Sequence, residues 1–572
     1  MLDSPWLKSY PKGVRWDAEI VPTRVEQILD DAVAKWPSNP AIDFMGKRLT
    51  YFELGALVDR CAAGLRKLGV KKGVHVGLYL PNTPHCVIGL FGILKAGGTV
   101  VNYSPLDAGK VLEHKVGDSQ TDFIITVDLA ALYPQMKELL GKTRLKKLIV
   151  GNLAEMSAAP DAVRAGLAGA RQLADIPTDS QHITFAQLLD NDGKYEREPD
   201  GDLAKSIAVL QYTGGTTGLP KGAMLTHANL SSACRQYWET ANGQPPLVKP
   251  GQERMLIVLP LFHIYALTAN MLFGIRIGAE LVLHARFELD KVLADIPAKK
   301  ISVFLGVPTM YMGIIGFPGI DKLDMTSLKY CASGGAPLPV ETIQEFKRLT
   351  GCDISEGWGM TETSPSGTFT PIGDGVQRKP GSCGIPGPGI TIKFLDVNDP
   401  GKTVALGERG EIAIKGPNVM LGYWNNPSAT AENLTADGFM RTGDVGYMDD
   451  DGFIFIVDRT KDMLLCGGYN VYPRNIEEAI YEHSSVAEVC VIGIPDQYRG
   501  QSPKAYLALK PGAPELSLKE LKDFLKSRLG KHEMISEMEI RAALPRTPVG
   551  KLSKKELYDE INAKAAAAKA AL

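Results

Sequence analysis

The sequence predicts an α/β fold with a large N-terminal domain of largely parallel sheets and a small α+β domain behind it. Two observations carry this expectation. Short apolar runs of strand length (GVHVGLYL, DFIITV, KKLIVG, SIAVLQY, RMLIVL, AELVLH, ISVFLGV) alternate with amphipathic runs such as VEQILDDAVAKW and YFELGALVDRCAAGLRKLG. That alternation is the signature of strands joined by helical crossovers. The texture then changes after DGFMRTGDVGYMDDDGFIFIVDRTKD, where Asp449–Gly452 reads as the turn of a hairpin. Beyond it a helix is expected from Pro473, strands in AEVCVIGI and KAYLALK, and a helix from Ser517 to about Leu529. Ser517 and Glu520 stand at capping-box spacing. Residues 156–202, rich in Ala, Asp and Gly, read as a surface elaboration, and AKAAAAKAAL as a low-complexity tail.

With 572 residues the chain is long enough for two or three domains, and 44% hydrophobic residues can bury a large core. A net charge of -2 leaves no electrostatic footprint for nucleic acid. The 8 cysteines lack CxxC spacing, which argues against a disulfide framework or zinc site and fits a reducing, cytoplasmic compartment. The N-terminus lacks the basic start and apolar run of a secretory signal. Residues 255–275 carry no formal charge, but Pro260, His263 and Asn270 break the run. It reads as a buried strand, a turn and the start of a helix rather than a membrane span, so any membrane contact is expected to be peripheral.

The strongest local signal is YTGGTTGLPKG, Tyr212–Gly222. An apolar strand runs directly into four glycines, three threonines and a lysine. Glycines let backbone amides approach an anion closely, while hydroxyls and a lysine add donors and charge. Thr226 follows as a helix N-cap. Lys221 follows Pro220 and precedes Gly222, so this is not the GxxxxGK[ST] loop. A ligand-free glycine-rich turn would show the same residue types.

YTGGTTGLPKGAMLTH resembles the phosphate loop of the adenylate-forming superfamily: acyl-CoA synthetases, peptide-synthetase adenylation domains and luciferases. The likeness continues in order through LTYFEL, LPNTPH, LKAGGTVVNYSP, LPLFHIYAL, SGGAPLP and EGWGMTETSP. It then runs through GEIAIKGPNVMLGYW, RTGDVGYMDDDGF, DRTKDMLLCGGYNVYPRNIEE and LPRTPVGKLSKKEL. The overall pattern is closest to fatty-acyl-CoA synthetases. Two departures stand out: Arg546 takes a place often held by lysine, and KHEMIS (531–536) replaces a Tyr-Lys-Val-Pro-like segment.

The resemblance implies roles residue by residue. Thr213, Gly214, Gly215, Thr216, Thr217 and Gly218 with Lys221 cradle the ATP phosphates. Glu362, with Thr213, holds magnesium, and Thr361 bonds a phosphate. Gly335, Ala336 and Pro337 lie beside adenine, with Trp358, Gly359 and Met360 nearby. Asp444 accepts from the ribose hydroxyls, and Arg459 is a ribose or phosphate contact. Lys551 is the catalytic lysine of the first half-reaction and a candidate for acetylation. Gly467, Gly468 and Tyr469 approach the pantetheine thiol of coenzyme A, whereas Cys466 is kept as structural. His263 stands at the carboxylate entrance, and Tyr265, Thr268, Gly306, Val307 and Gly334 form acyl-pocket walls. Without the resemblance, Lys551 would read as a solvated lysine, Asp444 as a turn residue and His263 as a core histidine.

The implied domains are 1–458 for nucleotide and acyl binding, a hinge at 459–461 with Lys461 at its centre, and a mobile domain at 462–572. The implied reaction joins a medium- or long-chain fatty acid to coenzyme A through an acyl-adenylate, with ATP and Mg2+. A dicarboxylate or an aryl acid is the alternative substrate, with Arg276 or Arg286 as the cation for a second carboxylate. A non-catalytic nucleotide-binding regulatory protein is the alternative of another class.

Overall fold

The computed structural model describes residues 4–199, 201–213, 220–336, 338–373, 376–466, 469–496, 498–547 and 552–570. The chain divides into two compact units, Met1–Thr391 with Ile414–Met440, and Ile392–Ala413 with Arg441–Leu572.

Two seven-stranded sheets build the larger unit. One runs Ile354–Glu356, Tyr330–Ser333, Val303–Gly306, Arg254–Ile257, Glu280–Leu283, Pro40–Phe44 and Lys47–Thr50, parallel except at the last pair. The other runs His182–Thr184, Lys147–Gly151, Thr121–Val127, His75–Leu78, Thr99–Asn102, Ile207–Thr213 and Lys221–Thr226, with only the last pair antiparallel. Central strands such as Thr121–Val127 are buried at every position, as expected of parallel strands covered by helices. The elaboration at 156–202 is mixed. Helix Pro160–Gly169 buries no residue, but His182–Thr184 adds an edge strand.

The uncharged stretch resolves into strand Arg254–Ile257, a turn, and a helix whose Ala266–Leu272 portion is π-helical and wholly buried. A π-helix widens the turn and leaves backbone groups off the regular ladder, so it is a recurrent feature of functional sites.

The smaller unit holds most of a four-stranded sheet, Thr391–Leu395, Gly410–Lys415, Met440–Met448 and Ile454–Arg459. Its other sheet pairs Val486–Asp496 with Gly500–Leu509, flanked by Leu464–Cys466, Tyr469–Val471 and Glu537–Ile540. Helix Pro473–Tyr481 begins where expected. Ser517 caps Leu518–Leu525 through the reciprocal bond with Glu520. That helix stops short of Leu529, where Arg528 turns back to donate to the Phe524 carbonyl at 3.0 Å.

Candidate active site

Parallel sheets present ligand sites at their carboxyl edges, and the described site residues of the larger unit cluster there. In the first sheet, Gly306, Ser333 and Glu356 are in register across three neighbouring strands. Val307, Gly334, Gly335, Ala336 and Trp358 follow directly in sequence. Gly335 has φ +83, a left-handed conformation that suits glycine. Gly359 is demanded by space: a Cβ there would lie 1.5 Å from the Pro365 carbonyl oxygen. Trp358 is half-buried, with its backbone paired to Thr368.

The second sheet supplies Thr213 and Lys221, which pair across the antiparallel strands that flank the glycine loop. Gly214–Gly218, Pro337, Gly467, Gly468 and Lys551 lie outside the described residues. Segment 421–424 adds a third strand-like partner, because Trp424 N donates to the Gly222 carbonyl and Leu421 N to the Met224 carbonyl. This pairing brings in Tyr423, which sequence reasoning quoted within a block but did not single out. Its phenol donates to Glu362 Oε1 at 2.8 Å, and Lys221 Nζ lies 5.2 Å from the centre of its ring. Glu362 is only 7% exposed, and its own carbonyl accepts from Met420 N. Burial, followed by the Glu362 carboxylate, holds the Tyr423 phenol well above the usual tyrosine range, so it stays a donor. A loop lysine, a phenol and a buried carboxylate thus form one chain of contacts. Thr361 is half-buried in the same short turn as Glu362, directly after Met360.

Amide side chains set the turn before the π-helix. Asn82 accepts from Leu261 N and donates to the Leu259 carbonyl, while Gln211 donates to the Phe262 carbonyl. Gln211 is itself oriented by Asn102. These bonds tie the residues before His263 to the strand that ends at Thr213. His263 is half-buried and accepts from Tyr265 N through Nδ1 at 3.3 Å. The Tyr265 ring packs on Gly334, where a Cβ would sit 3.1 Å away. Tyr265, Gly334, Gly306 and Val307 therefore gather at one edge. Thr268 follows on the π-helix, where its hydroxyl and both polar atoms of the Asn270 amide are buried without a hydrogen-bond partner. Arg286 is exposed and paired with Glu288 at 3.0 Å.

In the smaller unit, Asp444 and Arg459 come from separate motifs and meet across one hairpin, in register, with Arg459 Nε 2.9 Å from Asp444 Oδ1. Asp444 is 4% exposed. The preceding Gly443 adopts φ +72, and its N–H donates to Glu411 Oε1. Lys461 is exposed in the turn after Arg459. Tyr469 is exposed with its ring 5.1 Å from that of His532, a residue of the departing KHEMIS segment. Cys466 is buried, and burial pushes its thiol pKa up, the reverse of an activated nucleophile. Arg546 pairs with Glu488, so its cation is used locally.

The phosphates and metal of a nucleotide suit the donors of the larger unit by their chemistry. Mg2+ needs only one or two protein oxygens beside phosphates and waters, and the buried Glu362 carboxylate with a neighbouring threonine hydroxyl supplies that kind of donor. Among the described residues there is no cluster of three or more His, Cys, Asp or Glu able to cage a metal. Nor is any helix among them long and apolar enough to cross a membrane.

Residues 29–424 match the AMP-binding enzyme family and residues 475–551 the AMP-binding enzyme C-terminal domain. The chain belongs to this family of AMP-binding enzymes. It is 39% identical to a long-chain-fatty-acid–CoA ligase of Bacillus subtilis over 565 residues, covering 97% of this chain and 98% of that one. Among solved structures it is similar to ATP-bound MatB from Rhodopseudomonas palustris, with TM-score 0.81, 26% identity, and 94% and 99% of the two chains covered. It is also similar to O-succinylbenzoate coenzyme A synthetase from Bacillus subtilis with ATP and magnesium ion, with TM-score 0.75, 27% identity, and 93% and 99% covered.

Proposed function

We propose that this chain is an AMP-forming fatty-acyl-CoA synthetase that makes acyl-CoA, AMP and diphosphate from a medium- or long-chain fatty acid, ATP and coenzyme A. The observation that carries the reading is the Lys221–Tyr423–Glu362 chain of contacts beside the strands that flank the glycine loop. It gathers a cation and a buried carboxylate where a nucleotide triphosphate and its metal need them. The fatty-acid preference is supported by the neutral set Tyr265, Thr268, Gly306, Val307 and Gly334 and by the likeness to a long-chain ligase over 97% of this chain.

In this reading the fatty carboxylate attacks the α-phosphorus of ATP and pyrophosphate leaves. Lys221, the loop amides of Gly214–Gly218 and Lys551 neutralise the charge that builds on oxygen. Glu362 with Thr213 would hold Mg2+, which would screen the phosphates when bound. Asp444 takes the ribose hydroxyls, with Arg459 orienting its carboxylate. The coenzyme A thiol then attacks the acyl carbon near Gly467, Gly468 and Tyr469, and AMP leaves. Residues 459–461 act as the hinge between the two half-reactions, with Lys461 at the pivot. Acetylation of Lys551 would remove its charge and stop the first step.

The test separates the half-reactions. Lys551→Ala is expected to abolish pyrophosphate release with MgATP and fatty acid, yet keep thioester formation from supplied acyl-adenylate and coenzyme A. Equal loss of both would overturn the assignment.

A further inference from the structure

Two charged groups in the smaller unit, Asp458 and Lys554, have no place in the chemistry above; the first is buried and the second half-buried. Asp458, at the end of strand Ile454–Arg459, is 5% exposed. Its oxygens accept from the backbone N–H of Arg459 at 2.7 Å and of Arg474 at 2.9 Å. Arg474 lies in the first turn of helix Pro473–Tyr481, whose amides favour an anion. From the same helix Glu477 accepts from Val491 N at 2.7 Å and faces Lys554 Nζ at 3.4 Å. Lys554 opens the C-terminal helix Lys554–Ala570.

The electrostatics agree with the geometry. Burial raises the Asp458 pKa to about 6, with the Glu477 charge adding to it and Lys554 and the two N–H bonds opposing it. Burial works to lower the Lys554 pKa, yet Glu477, Asp458 and Asp462 carry it above the usual lysine range. Cys490, on strand Val486–Asp496, also faces this lysine. An apolar replacement of such a cluster is often no less stable, so retaining it asks for another reason.

The reason lies in what the cluster joins. Asp458 immediately precedes Arg459 and the exposed turn with Lys461. Lys554 stands three positions after Lys551. The chain enters 547–551 at Arg546 and leaves it at Leu552, and those two residues form a β-bridge, with Ser553 N also bonded to the Pro545 carbonyl at 2.8 Å. Arg546 is pinned by Glu488 on one arm and Lys554 by Glu477 on the other, within the field of the Asp458 carboxylate.

We propose that Asp458, Glu477 and Lys554 are positioning residues that fix the base of segment 547–551 to the strand leading into the Lys461 turn, and so present Lys551 for acyl-adenylate formation. The proposal rests on the reading that Lys551 serves that half-reaction. Lys554 acts through the placement of another lysine, where a displacement of about 1 Å can cost roughly a hundred-fold in rate.

The experiment uses the full-length enzyme and follows two half-reactions as a function of pH. One is pyrophosphate release from MgATP and fatty acid; the other is thioester formation from supplied acyl-adenylate and coenzyme A. Lys554→Met should slow the first roughly a hundred-fold and leave the second within about three-fold, while Lys554→Arg recovers most of the loss. Asp458 is protonated below about pH 6, so wild-type adenylation should fall through that region as the pH drops. In Lys554→Met the fall should move to higher pH, because the cation that opposes protonation is gone. Asp458→Asn should lower adenylation at every pH and erase that limb. If both half-reactions fall together with an unmoved pH profile, the cluster is structural only and the proposal is overturned; full adenylation by Lys554→Met also overturns it. Should Lys554→Met fail to fold, Glu477→Gln read by the same assays decides. Lys551→Ala distinguishes the two levels: if it keeps adenylation, the reading of Lys551 itself is wrong, whatever Lys554→Met does.

Discussion

Tyr423 donates its phenol to Glu362 Oε1 at 2.8 Å, and so links the segment that pairs with the Lys221 strand to the carboxylate proposed to hold magnesium. Tyr423→Phe keeps the ring under Lys221 and removes only this bond. A hydrogen bond to a charged acceptor contributes about 1.5–3 kcal/mol, so adenylation should need roughly ten-fold or more extra Mg2+. Pyrophosphate release titrated with Mg2+ measures this. An unchanged magnesium dependence would remove Tyr423 from the site.

Asp444 and Arg459 form a pair in which one carboxylate is buried and one guanidinium is half-exposed. Asp444→Ala should raise the KM for ATP roughly ten- to a hundred-fold and leave the KM for fatty acid nearly unchanged. Steady-state kinetics at varied ATP provide the check. A fall in melting temperature with an unaltered KM for ATP would make the pair structural.

Gly359→Ala places a methyl group 1.5 Å from the Pro365 carbonyl oxygen, which is backbone and cannot rotate away. The substitution should destabilise the protein by about 2–4 kcal/mol and displace the neighbouring Met360–Thr361–Glu362 turn, with loss of adenylation. Gly166→Ala is the control: it sits in an exposed helix with open space around its Cα and should gain about 0.5–1 kcal/mol. Denaturant midpoints of the two variants should move in opposite directions.

Gly334→Val thrusts a branched side chain against the Tyr265 ring, which a single Cβ would already approach to 3.1 Å. Chain-length preference should shift to shorter acids, with kcat/KM for the longest substrates falling most. A uniform loss at every chain length would place Gly334 outside the acyl path.

The layers of this molecule were largely legible because parallel strands write themselves as uniform apolar runs. Every strand expected from such a run, from His75–Leu78 to Val303–Gly306, is present. The caps at Thr226 and Ser517 were readable because a capping hydroxyl before a helix is a local signal, reinforced at Ser517 by Glu520 three residues on. The site was legible only in its motif residues. Tyr423 finds Glu362 across 61 positions and Gln211 reaches the Phe262 carbonyl across 51, and no local periodicity encodes such meetings. Asp458 and Lys554 were hidden for a further reason. Each reads alone as a solvated charge, and only the packing of a strand end against two helices reveals that Asp458 is buried and Lys554 half-buried beside the same helix.

The central claim is tested most directly by AMP and pyrophosphate release with MgATP and coenzyme A across short to long fatty acids, dicarboxylates and aryl acids. Turnover that peaks at medium or long fatty chains, with one AMP formed per acyl-CoA, is the predicted result. Absence of AMP with every acid would contradict it and favour a non-catalytic nucleotide-binding protein; a peak at dicarboxylates or aryl acids would contradict the fatty-acid assignment.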